Sequence, residues 1–147
     1  MRNTLPTLSV LLSICTQPVT AAAQLGTSGK IPDQLLGAFT DDYRIKYQIT
    51  DTLFVQGSRL KYRVLSWNPA EQYLIAQNDQ SNPADGGLFT RIDWVLLTDM
   101  APWTWAYCLT AYRAPTADSA RATPPAKRDT PRTGCNGFPF SRMQRVE

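Results

Sequence analysis

The chain has 147 residues, with 15 Lys/Arg, 12 Asp/Glu and no histidine, for a formal net charge of +3. Without histidine the usual general base, most zinc sites and every Ser-His or Cys-His triad are excluded. The length suits one domain with a real core, and no stretch after the N-terminus is long and apolar enough for a spanning helix.

Met1-Arg2 is a short cationic start, followed by an apolar run from Leu8 to Ile14 and the small residues Thr20-Ala21-Ala22-Ala23. This is the order read by signal peptidase, so residues 1–23 are expected to be a signal peptide cut after Ala23. The mature chain would then be exported, to the periplasm or beyond the cell. Leu12-Ser13-Ile14-Cys15 is similar to a lipidation box but departs from it at Ile14, where that box needs a small residue, so cleavage after Ala23 is the commoner outcome. Cleavage discards Cys15 and leaves Cys108 and Cys135, for which pairing is the default in an oxidising compartment. A disulfide closing that loop is worth roughly 3 kcal/mol by chain entropy.

Residues 24–34, with Gly26, Gly29 and Pro32, read as a flexible leader, and residues 35–147 as a single β domain. Tyr43, Ile45, Tyr47 and Ile49 alternate with Arg44, Lys46 and Gln48, which predicts a half-buried strand over 43–49. Thr50-Asp51 turns into Leu53-Phe54-Val55, and Gly57-Ser58 turns into Leu60–Val64. Leu60, Tyr62 and Val64 share a face, but Leu65 and Trp67 fall on the other, which predicts a bulge near Leu65–Ser66. Asn68-Pro69 breaks this strand. Gln72–Ala76 is apolar on both faces, as a central strand would be.

Asn78 to Gly87 is dense in turn residues and reads as a surface loop. Leu88–Leu97 is the longest strand pattern, with Ile92, Trp94 and Leu96 on one face and Arg91 and Asp93 on the other. After the turn Asp99–Pro102, the strand Trp103–Tyr112 puts Trp103, Trp105, Tyr107 and Leu109 on one face and Cys108 on the opposite one. The aromatic face is expected inside, so Cys108 points outward. Residues 115–122 are the helix candidate, with Thr116 as cap. Thr123–Gly134 is polar and proline-rich, predicting an exposed loop that does not dock by itself. Phe138, Phe140 and Met143 would dock the tail 135–147 on the outer face, clamped by Cys108–Cys135. The expected fold is therefore all-β, an antiparallel meander closing into a small barrel or curled sheet, with one short late helix and a disulfide-tethered tail.

Charge is uneven along the chain. Residues 24–112 hold seven Lys/Arg against nine Asp/Glu, and residues 113–147 hold seven against three. A basic tail suits an anionic partner or plain solvation, and solvation is the commoner outcome. Arg44, Lys46, Lys61 and Arg63 interleave with aromatics such as Tyr62, a pattern found in single-stranded nucleic-acid binders. Export and the acidic body argue against that partner.

Motifs for chemistry are few. There is no G-x-S-x-G elbow, and glycines are too sparse for a phosphate cradle. Asp41 and Asp42 would face opposite sides of a strand. Asp93 beside Trp94 suits either an acid near a sugar-binding ring or an ion pair with Arg91, and the pair is the commoner outcome. Asp79-x-Ser81-x-x-x-Asp85-Gly86 resembles a calcium loop, but Ala84 and Thr90 stand where Gly and Glu are needed. No catalytic residue, metal or cofactor is expected.

Gly37-Ala38-Phe39 resembles the G-x-W opening of lipocalins and their calycin relatives, with Phe in place of Trp. Thr40-Asp41-Asp42-Tyr43 is similar to the family's T-D-Y motif at a different place in the chain. The resemblance implies a closed barrel whose mouth binds a small hydrophobic molecule. The leading expectation is an exported, monomeric, non-catalytic binding domain for a small apolar or aromatic ligand. Its interior would be lined by Tyr47, Tyr62, Trp94, Trp103, Trp105 and Tyr107, although strand aromatics are more often plain core. The alternative is an envelope structural or protein-interaction module using its outer surface and basic tail. An enzyme using carboxylates such as Asp93 or Glu71 is a third.

Overall fold

In the computed structural model, which describes residues 29–146, the period-two segments form eight antiparallel strands in sequential order. These are β1 Gly37–Asp41, β2 Lys46–Ile49, β3 Leu53–Gln56, β4 Leu60–Asn68, β5 Tyr73–Asn78, β6 Phe89–Leu96, β7 Trp103–Ala114 and β8 Ser141–Arg145. β1 pairs with β8, with Asp41 opposite Met143 and Phe39 opposite Arg145, so the meander closes into a barrel. Closure satisfies the two edges that an open sheet would expose. The expected signal peptide and the cut after Ala23 lie outside the described residues.

The predicted strand over 43–49 is instead a turn followed by β2. Asp41 is buried, and its Oδ1 accepts hydrogen bonds from the backbone N–H groups of Tyr43 and Ile45, both at 2.9 Å. Such side-chain-to-backbone bonds favour a turn over continued extension. Tyr43 is left 75% exposed and Arg44 takes a positive φ of 64°. The bulge in β4 is present, with the register against β5 shifting between Val64 and Ser66.

β5 is apolar on both faces because both are covered. Leu74 and Ala76 point into the barrel core, while Tyr73 and Ile75 pack outside against Ala117 and Ala120 of the helix α1, Ala117–Ala122. Thr116 and Ser119 form a reciprocal capping box at its start.

Two expectations about the C-terminal third are corrected. The segment 123–134 does dock: Ala126 and Gly134 are buried, and Arg128 reaches the sheet. Residues 141–145 are not a tail lying on the outer face but the eighth strand, and Met143 is fully buried in the barrel core. Phe138, expected to help dock the tail, is 71% exposed. Cys108 and Cys135 are joined, 27 residues apart. As strand parity predicts, Cys108 lies in an outer cluster with Ala106, Ala126 and Phe140.

Candidate functional site

The structure brings together five of the six aromatic residues expected to line the interior. Tyr47 of β2, Tyr62 of β4, Trp94 of β6 and Trp105 and Tyr107 of β7 are buried in one cluster with Phe39 and Phe54. Their rings touch one another: Phe39–Trp105, Phe54–Tyr107 and Tyr47–Tyr107 have centroids 5.4, 5.4 and 5.7 Å apart in edge-to-face arrangements. An eight-stranded barrel is just wide enough for side chains to fill, and here rings fill much of it.

Trp103 does not join them. The β7–β8 register shifts between Trp103 and Trp105, which turns Trp103 to the outer face under the guanidinium of Arg142, 4.8 Å from the ring centroid. Leu96, expected inside with Ile92 and Trp94, is likewise 39% exposed where β6 ends.

Polar groups within the cluster are wired at one point. The Tyr47 hydroxyl donates to Asp41 Oδ2 at 2.8 Å, and the Tyr107 hydroxyl lies 2.9 Å from that of Tyr47. Since Tyr47 has spent its one proton on Asp41, Tyr107 donates to Tyr47. Burial pushes the Tyr47 phenol well above its ordinary range, reinforced by Tyr107 and Asp41; burial also pushes Tyr107 well up and raises Tyr62. The indole N–H groups of Trp94 and Trp105 are buried with no hydrogen-bond partner.

Asp93, the carboxylate set beside Trp94, faces outward but is fully buried. Arg91 meets it through two nitrogens, both at 3.0 Å, and Arg128 Nη2 adds a bond at 2.8 Å. Thr110 donates to the same carboxylate. Arg128 also donates to the carbonyls of Glu71, Gln72 and Trp94, which straps residues 123–134 to the sheet. Asp93 thus holds outer cover in place, and its oxygens are engaged by partners rather than open to a substrate. In the polar loop, Asp79 is tied to Ser81 and Arg63; those hydrogen bonds, Ser81's first, hold its carboxyl down to about 2. Among the described residues no group of three or more His, Cys, Asp or Glu side chains converges.

A groove of about 530 Å³ lies on the outside. Ala106 of β7 and Phe140 are its buried residues, Leu97, Met100, Pro131 and Pro139 its apolar sides, and Tyr43, Arg132 and Arg142 its polar rim. Arg142 is fixed by Asp42 through bonds of 3.1 and 2.6 Å, and this pairing pushes its pKa further up. Arg132 has no ion-pair partner among the described residues. Sequence reasoning missed this groove, because it joins a turn, a strap and two strands far apart in the chain. The one available signal was the apolar Phe140 of the tail, which needed a surface to dock on.

Among the described residues no helix is long and apolar enough to cross a membrane. No family model, no curated protein and no solved structure matches this chain.

Proposed function

We propose that the protein is an exported, non-catalytic binding domain that holds a small apolar or aromatic ligand in the groove on its outer face. The observation that carries this is a contrast in packing. The interior rings touch one another, whereas the groove has apolar sides, a fixed cation at Arg142 and an unpaired one at Arg132. Such a site, apolar with a few placed polar groups, suits a small molecule bearing an acidic group. Export rests on the order of residues 1–23. The absence of histidine, together with the engaged state of Asp93, supports a non-catalytic role. The barrel and the Gly37-x-Phe39 opening support a lipocalin-like relationship.

Tryptophan fluorescence with a panel of fatty acids, tetrapyrroles and aromatic acids tests this. Quenching that disappears in Met100→Glu and weakens in Arg132→Gln is expected. If no compound binds, or Met100→Glu leaves binding intact, the groove is not the site.

A second reading keeps the ligand inside the barrel. It is favoured by the unpartnered N–H groups of Trp94 and Trp105, which a ligand acceptor would satisfy. Quenching that survives both Trp103→Phe and Met100→Glu would select it. An envelope module acting through a free basic tail fits less well. Residues 113–147 contain β8, and Arg113, Arg121, Arg128 and Arg142 are each ion-paired.

A further inference from the structure

In an antiparallel meander, alternate turns meet at the same end. The β1–β2 turn and the β3–β4 turn are neighbours: Ile45 Cγ2 lies 3.8 Å from where a Cβ on Gly57 would be, and Gly57 N–H donates to the Lys46 carbonyl at 2.7 Å. This places Arg44, Lys46, Arg59 and Lys61 at one end of the barrel. All four are exposed, and none makes an ion pair among the described residues. The carboxylates close by are already engaged. Asp41 is buried beneath the turn, Asp42 holds Arg142, and Asp79 holds Arg63.

The opposite end has the reverse character. Asp51 in the β2–β3 turn, Glu71 in the β4–β5 turn and Asp99 in the β6–β7 turn are exposed and without an ion pair among the described residues. Arg145, at the end of β8, is the exposed cation there, bonded to the Asp33 carbonyl and in no ion pair among the described residues. This end therefore carries three such carboxylates against one cation, and the other end four cations. Next to Arg44 in the β1–β2 turn is Tyr43, 75% exposed, its backbone N–H bonded to the Asp41 carboxylate.

We propose that the end formed by the β1–β2 and β3–β4 turns docks on an anionic phospholipid bilayer, with Arg44, Lys46, Arg59 and Lys61 against the headgroups and Tyr43 at the interface. An aromatic ring with a polar tip among basic side chains suits that boundary, where rings sit at headgroup level and each Lys or Arg adds attraction. The acidic end points away from the surface, which sets the orientation. Tyr43 also rims the groove, but none of the four cations lines it, so charge changes at Arg59, Lys46 or Lys61 leave the groove's lining unaltered.

The test is co-sedimentation of the purified chain, as processed by its host, with vesicles of phosphatidylcholine alone or with about one quarter phosphatidylglycerol. Binding is expected only to the anionic vesicles, and should be lost as salt rises from about 0.03 M to about 0.3 M. Arg59→Glu should weaken it about tenfold or more, while Lys127→Glu, the same charge change in the strap, should alter it less than about twofold. If Arg59→Glu does not fold by circular dichroism, Lys46→Gln with Lys61→Gln replaces it, with the same direction expected. Equal binding to both vesicle types overturns the proposal, as does equal weakening by Arg59→Glu and Lys127→Glu. Capture of an oligonucleotide without capture of the anionic vesicles also overturns it.

Discussion

Replacing Asp93 by Asn keeps the size of the side chain and removes its charge. In the wild type one carboxylate faces two guanidinium groups, with the Arg91 side chain 5% exposed and that of Arg128 22%. Arg91 Nη1 would keep its bonds to the carbonyls of Arg121 and Thr123, but its Nε and Nη2 would face a neutral amide. Breaking one side of a buried pair costs about 3–5 kcal/mol, because a desolvated charge is left uncompensated. For a domain of this size that is a large share of a total stability of about 5–15 kcal/mol, and a fall in Tm on the order of 10–20 °C. Urea unfolding followed by circular dichroism would measure it. Adding Arg91→Met should recover part of the loss, since a stretch of chain resting on Tyr73 then replaces the stranded charge. A single variant within about 1 kcal/mol of wild type would refute the reasoning, and so would a double variant that loses the sum of its parts.

Gly134→Ala should unseat the strap. An ideal Cβ there would lie 1.9 Å from the Lys127 carbonyl oxygen and 2.8 Å from that of Thr130, so backbone must move, at about 1–3 kcal/mol. Faster hydrogen exchange at Lys127 and Thr130, whose N–H groups close this loop, would register it. Tyr47, Tyr62 and Tyr107 are raised above the ordinary 10.0, so the folded barrel holds their protons where the unfolded chain would lose them. Their contribution is complete below about pH 10 and fades as pH rises further, so stability should fall and tyrosinate absorbance from these rings should appear only with unfolding.

Much of the barrel is written locally. Alternation of apolar and polar residues at Leu60–Val64 and Trp105–Leu109 can be read directly, because a strand's side chains face alternate sides whatever lies across from them. Thr116 with Ser119 declares a helix start for the same reason: both partners lie within one turn. Parity sufficed to put Cys108 outside. The sequence did not show which way Asp41 would act: its Oδ1 caps the turn locally, but its Oδ2 is met by Tyr47, which Tyr107 contacts from β7, a strand far along the chain. Nor could it show the bulge that turns Trp103 outward, which is fixed by pairing with β8. Residues 141–145 lack a clean alternation, and become a strand because β1 and β7 each offer them an open row of hydrogen bonds. The groove, the Arg128 strap and the opposed charges of the two ends all depend on which distant segments meet. That is decided by closure of the barrel, and no window along the chain contains it.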